Sequence, residues 1–221
     1  WPAREWTKLY GAPGELDEDG VVRKVSVIPK PYQDPHPPLW QPFSVSESTI
    51  RWCAQESILP WILTSYPESF SNLCQVYKDE AATAGRTLRL GQSVGAARSI
   101  SIGRTYEEAF ALGARTTGVG FHAYFSGFGF LEAFRNPGEE GPTPLMLPSA
   151  EAVYQRMVEH DYALCGTVDA IKRKMDAISK CYGDGELEWF SWGFPQGFLT
   201  WDEAQWQLET FATEILPEFK D

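Results

Sequence analysis

Positive charge is scarce in this sequence: 19 lysines and arginines stand against 30 aspartates and glutamates in 221 residues, a formal net charge of −11. A phosphate backbone needs a basic footprint, so nucleic acid is excluded as a partner, and an anionic membrane surface with it. Long apolar runs are missing too. None approaches the about 20 residues that cross a bilayer, which argues against a membrane-spanning role. Cysteine is sparse: Cys53, Cys74, Cys165 and Cys181 show no C-x-x-C spacing and fall in helical or strand patterns. They are read as buried free thiols rather than as metal ligands or a disulfide framework. The three histidines, His36, His122 and His160, are too scattered for a metal site. His36 reads as structural and His160, in EHDY, as a surface residue. No G-x-S-x-G elbow, Cys–His arrangement or internal repeat is present. The glycines of VGFHAYFSGFGF lack the strand–turn–helix setting of a dinucleotide fingerprint and read as loop flexibility.

What is present is enough for a sizeable core, with 43% hydrophobic residues. The chain opens WPAREW, with neither an initiator Met nor an apolar signal region, and is read as a fragment or processed product. The acidic turn GELDEDG precedes the alternating VVRKVSVI (21–28), a short strand or hairpin arm. The connector PKPYQDPHPP (29–38) cannot supply ladder amides and delivers the chain to a strand, LWQPFS (39–44).

From there strand and helix alternate. A helix over 47–56 carries Ile50, Cys53 and Ala54 on one face, and the short apolar run ILPWILTS (58–65) reads as a buried strand. A helix follows over 67–84, ending at Gly85, and then the strand LGQSVGAARSISI (90–102). The T-x-x-E capping box of Thr105 and Glu108 starts the next helix. Residues 117–165, rich in Gly, Phe and Pro, read as an insertion or lid. A helix over 165–180 is capped by Thr167 and buries Ile171, Met175 and Ile178. LEWFSWGF (187–194) is the last strand, and a second capping box, Thr200 and Glu203, opens a final helix. Four strands each followed by a helix predict an α/β fold with a parallel sheet. A complete (β/α)8 barrel needs about 250 residues, so the chain reads as half of one, a single domain over 1–221.

Residues 43–52, FSVSESTIRW, put three hydroxyls at the start of the first helix. Ser46 sits at the N-cap with Thr49 at N3, and an ordinary cap needs nothing more. The other reading is an anion cradle. There the amides at 47–49, the hydroxyls of Ser46, Ser48 and Thr49 and the positive helix end face the side on which barrel enzymes bind phosphates. Glu47 opposes a bare phosphate unless its carboxylate turns away or binds another part of the ligand.

The PHPP connector (35–38), this S-x-S-T-x-x-W start (46–52), the CGTVDAIKRKMDAI segment and the F-A-x-E-x-x-P-x-F tail (211–219) occur in the order found in the bacterial luciferase-like family of flavin-dependent oxidoreductases. The chain resembles the C-terminal half of that family from about residue 21 to residue 219. The resemblance implies a TIM barrel, of which about four βα units are here, with a long insertion before the last strand. It also implies a flavin phosphate held by Ser46, Ser48 and Thr49, with Glu47 at a position where several relatives have a small residue. Val168 replaces the proline that usually follows the family's G-T. Further flavin contacts and the catalytic histidine of luciferase belong to the first half of the barrel, expected upstream in the same polypeptide.

By the same resemblance the expected activity is a monooxygenase reaction using reduced FMN and O2 on a small organic substrate, with a separate flavin reductase as partner, in a cytoplasmic homo- or heterodimer. F420-dependent hydride transfer and a non-catalytic barrel subunit are the alternatives. In the lid, His122 is a candidate proton donor. Trp189 and Trp192, three apart, face opposite sides of the last strand. Trp192, nearer its C-terminal end, is expected in the pocket wall with Phe194 and Gln196. Trp52, Trp61 and Trp206 are expected in the core or an interface. A carbohydrate-active barrel, the remaining rival, would stack substrate on Trp192, but no carboxylate pair is evident at strand ends.

Overall fold

The structure, a computed structural model, describes residues 15–24, 29–43, 46–64, 66–136, 138–139, 141–195 and 197–219. The chain falls into two compact units, residues 1–39 and 40–221. In the first, the acidic turn is organised by Asp17, whose carboxylate accepts from the amides of Asp19 and Val21 and from Arg23 Nε. An antiparallel bridge joins Leu16 to Val22, on either side of that turn. Residues 25–28 of the expected strand lie outside the described residues.

The second unit is an open, parallel, five-stranded sheet: β1 (Trp40–Phe43), β2 (Leu59–Ile62), β3 (Gly95–Ile102), β4 (Ala163–Gly166) and β5 (Trp189–Trp192). β1 pairs with β2 and β2 with the start of β3. The eight-residue β3 is long enough to carry two further partners: β5 along Gly95–Arg98 and β4 along Ser99–Ile102. The helices are α1 (Glu47–Gln55), α2 (Pro67–Thr83), α3 (Tyr106–Gly113), α4 (Val119–Ala123), α5 (Ala150–Glu159), α6 (Val168–Ser179) and α7 (Trp201–Thr210). Hydroxyl caps start four of the expected helices. Ser46, Thr105, Thr167 and Thr200 accept the amides of Thr49, Glu108, Ala170 and Glu203, and Glu203 closes the box onto the Thr200 amide.

Two features of the element order differ from the sequence reading. β4 was not anticipated, because ALCG is too short and unalternating to stand out from the segment before it. And the segment 117–165 is in large part built of elements: a π-helical turn at Ala114–Gly118 leads into α4, two 3-10 turns follow to Phe134, and after an irregular stretch α5 returns the chain to β4.

Side-chain alternation along β3 sorts the unit into layers. Ala96, Ile100 and Ile102 face the helices and pack with Ile50 and Cys53 of α1, Phe70 of α2 and Ile171 of α6. Gly95, Ala97 and Ser99 face the other side, where Trp40, Trp61 and Trp189 form a cluster with ring centroids 5.5–5.6 Å apart. Gly95 makes room for it: a Cβ there would lie 2.8 Å from the Trp40 ring. A second core of Ala109, Leu131, Phe134, Tyr154 and Met157 holds the 117–165 segment against β4. All four cysteines are free and buried. Trp52 and Trp206, expected in a core or interface, are 46% and 37% exposed in this chain, because their helices present them to the surface.

Candidate active site

Both candidate sites lie at the C-terminal ends of the parallel strands, where α/β barrels place ligands. At the first, Ser46 follows β1 with extended backbone angles and caps α1. Its Oγ accepts the Thr49 amide at 3.3 Å and the Thr49 hydroxyl at 3.0 Å, and lies 3.0 Å from Ser48 Oγ. Three hydroxyls thus converge on one helix start. Glu47 turns along the helix instead: Arg51 donates to its Oε1 from Nη2 at 2.5 Å and Nε at 3.1 Å. The third Arg51 nitrogen, Nη1, reaches Glu80 at 2.8 Å, and hydrogen bonds from Gln55 and Arg51 hold the Glu80 carboxyl below the usual range. The charge that opposed an anion here is therefore paired away from the hydroxyls.

The second site is a cavity of about 420 Å³. Leu63 just beyond β2, Ser99 on β3 and Gly193 and Phe194 just beyond β5 form its floor, while Thr117, Phe121 and Phe134 bring the 117–165 segment over it. The π-helical turn adds a residue to the helical repeat and sets Thr116 and Thr117 side by side on the wall, a distortion often found at functional sites. Two close packings press the segment inward. A Cβ on Gly113 would lie 1.9 Å from the Tyr154 ring, and one on Gly118 would lie 2.5 Å from the Ala150 carbonyl. Ser99 Oγ lies 2.8 Å from Thr117 Oγ1, whereas Thr116 spends its hydroxyl on the Leu112 carbonyl at 2.8 Å. Tyr162 closes one wall with its ring against Phe121 and Phe134, and burial pushes its phenol above the usual range.

Of the residues singled out from sequence, Phe194 lines this cavity. Trp192 does not. It points into the helix layer, its ring 4.8 Å from Phe211 of the tail, and it is Trp189 that shares the opposite face with Trp40 and Trp61. Trp192 is the last residue of β5, and nearness to the strand end did not decide which way that side chain points. Gln196 lies outside the described residues. His122 sits in α4 beside the lining residue Phe121 and is not itself among the lining residues.

His160, expected on the surface, is buried at 3% exposure. One ring nitrogen bonds Asn136 Oδ1 at 2.8 Å and the ring packs edge-on to Tyr66 and Phe134. Arg98 is also buried and was not foreseen. It donates to the carbonyls of Ala97 and Ile62 and lies 5.0 Å over the Phe70 ring, and burial draws its pKa down. A lone arginine in the small-residue run GAARSISI was the available signal.

No protein-family model and no curated protein matches the chain. Solved structures do. Monooxygenase RslO1 from Streptomyces bottropensis superposes with a TM-score of 0.60 at 18% identity, over 87% of this chain and 51% of its own. The oxygenating constituent of 3,6-diketocamphane monooxygenase from Pseudomonas putida, a type II Baeyer-Villiger monooxygenase solved with FMN, gives 0.63 at 17% identity over 84% and 50%. The fold is the luciferase-like barrel fold. The coenzyme F420-dependent tetrahydromethanopterin reductase of Methanopyrus kandleri has it too, with a TM-score of 0.52 at 15% identity over 83% of this chain and 51% of its own. The chain spans about half the length of the solved structures it matches. Among its described residues no helix is long and apolar enough to cross a membrane.

Proposed function

We propose that this chain is the C-terminal half of a luciferase-like flavin-dependent monooxygenase acting on a small organic substrate. The observation that carries the reading is the α1 start. Ser46, Ser48 and Thr49 converge beyond the C-terminal end of β1, and Glu47 is drawn off by Arg51. That arrangement suits a phosphate, since the hydroxyls and the free amides at a helix start both donate and the helix dipole favours the negative charge. In this reading those three residues hold the phosphate of FMN, and the reduced flavin supplies the electrons with which O2 is activated. A separate reductase delivers the reduced flavin, as the type II class of the similar diketocamphane enzyme suggests.

The chain's own residues bind, orient and dry the site. The phenylalanine-lined cavity takes the substrate, with Phe194 on its floor, and the 117–165 segment shuts water out. His122 is a proton donor only if that segment moves, since its ring is outside the cavity lining. A homo- or heterodimer in the cytoplasm completes the proposal. The second reading, hydride transfer with F420, is favoured by the fold shared with the Methanopyrus reductase.

Anaerobic titration of the full-length protein with oxidised FMN, reduced FMN and F420, followed by fluorescence, tests both. Tight binding of reduced FMN that falls at least tenfold in the Ser46→Ala/Thr49→Ala variant is the expected result. Binding of F420 alone selects hydride transfer, and binding of neither overturns the assignment.

A further inference from the structure

We infer that the cavity beyond β2, β3 and β5 accepts a neutral, ring-bearing small molecule with one hydrogen-bond-accepting oxygen, seated with that oxygen on the Ser99–Thr117 hydroxyl pair. The inference names the substrate class of the proposed monooxygenase and rests on that reading for its link to catalysis; the binding itself does not. Among the described residues no charged side chain lines the cavity. An ionised ligand would give up its hydration with no counter-charge to replace it, which excludes carboxylates, phosphates and amines. A volume of about 420 Å³ lies near the lower end of small-molecule sites and suits one or two rings rather than a nucleotide or a polymer.

The walls present rings at varied angles. The Phe121 and Phe125 centroids are 4.9 Å apart at 43°, Phe125 and Phe130 5.2 Å at 57°, and Phe121 and Phe134 6.1 Å at 61°. Such a set offers both faces and edges to a flat or cage-like hydrocarbon.

Hydrogen counting places the oxygen. Ser99 and Thr117 carry two hydroxyl hydrogens between them, and their 2.8 Å contact uses one. The other is left for the cavity, where the neighbouring Thr116 hydroxyl is already committed to a carbonyl. An uncommitted donor in an apolar site prefers a ligand that brings an acceptor, such as a ketone, ester or ether oxygen, over an equally large hydrocarbon.

The test is isothermal titration of the full-length protein, without flavin, using three probes of one shape: 2-acetylnaphthalene, 2-ethylnaphthalene and 2-naphthoate. The ketone is expected to bind about tenfold tighter than the hydrocarbon, a ratio typical of one buried hydrogen bond, and the naphthoate weakest of all. In a Ser99→Ala/Thr117→Val variant the ketone loses its advantage while the hydrocarbon keeps its affinity. A Phe121→Trp variant, which fills the cavity without touching the hydroxyls, blocks all three. Naphthoate binding as tightly as the ketone overturns the inference. So does a ketone preference that survives the double variant, or binding that ignores Phe121→Trp. Ketone binding without any flavin or F420 binding would sink the proposed function and leave this site standing; flavin binding without ketone binding would do the reverse.

Discussion

Gln207 of α7 pairs its side-chain amide with the backbone of Ile102, the last residue of β3: Nε2 donates to the Ile102 carbonyl at 2.7 Å and Oε1 accepts its amide at 2.9 Å. The side chain acts as one residue of an absent neighbouring strand, and it is buried. Without it both backbone groups would be sealed from water unpaired. Gln207→Leu therefore is expected to destabilise the protein by about 2–3 kcal/mol, read as a lower urea midpoint at unchanged slope. An unshifted midpoint would mean that water reaches the end of β3.

His160 should make stability depend on pH in a definite direction. Burial, with Arg156 nearby, lowers its pKa below the ordinary 6.5, and among the described residues none accepts a hydrogen bond from its Nδ1. Below pH 6.5 the unfolded chain takes up a proton that the native state refuses, so stability falls as pH drops from 7 to 5. His160→Gln, whose amide can still donate to Asn136, flattens that slope. Urea midpoints at three pH values for both proteins decide it, and parallel profiles would remove His160 as the cause.

Glu139 acts in a lower window. Arg156, which donates to it at 2.7 and 3.1 Å, and the Asn136 amide hold its carboxyl at about 2. Its contribution is present above the ordinary 4.5 and is lost as pH falls toward 2. A carboxyl NMR titration midpoint near 4.5 would contradict the pairing. Glu139→Gln is expected to weaken the protein at pH 7 and to match it at pH 2.

How much of this was legible follows from range. Ser46, Thr105, Thr167 and Thr200 were readable as caps because a cap and its amide lie within three residues. Ile50, Ile171, Met175 and Ile178 were readable because one helical face is a local period. That Trp189 and Trp192 oppose each other was readable as well, yet not which of them meets the helices, since that depends on the sequence-distant tail carrying Phe211. His160 was misplaced for the same reason: its partners, Asn136, Phe134 and Tyr66, are 24 or more residues away. The Ser99–Thr117 pair needed the π-helical turn, which no period announces. Motif order, by contrast, pointed to the fold that the superpositions show, because four short motifs in sequence constrain a topology more than any one of them does.

The contact of α3 with α5 is set by Gly113, against which the hydroxyl end of the Tyr154 ring packs. A methyl group there cannot be accommodated unless the fully buried Tyr154 ring or the helix gives way. Gly113→Ala should cost about 2 kcal/mol or more, by overpacking, despite the better helix propensity of alanine. Adding Tyr154→Leu withdraws the far end of the ring and should restore part of the loss. If the two effects simply add, measured by thermal unfolding, the clash is not the cause.

Arg115 joins two walls of the cavity. From the π-helical turn it donates to the Phe198 carbonyl at 2.5 Å and to Glu203 Oε1 at 2.6 Å, and so ties the segment after β5, with Phe194, Pro195 and Phe198, to the segment carrying Thr116 and Thr117. Both partners are over a third exposed, and such pairs contribute about 0–1 kcal/mol to folding. The consequence for ligand is larger than for stability. Phe198 holds a left-handed backbone, φ 59°, which a side-chain residue keeps only under restraint, and Arg115 holds its carbonyl. Arg115→Met releases that segment, so the bound ligand must order it again. The expected result is an unfolding midpoint within about 2 °C of the parent and a severalfold weaker affinity for 2-acetylnaphthalene. Glu203→Gln should lose less, because Arg115 keeps the Phe198 carbonyl. Equal losses in the two variants would place the restraint in the ion pair rather than in the backbone contact, and no loss in either would leave the cavity wall independent of the clasp.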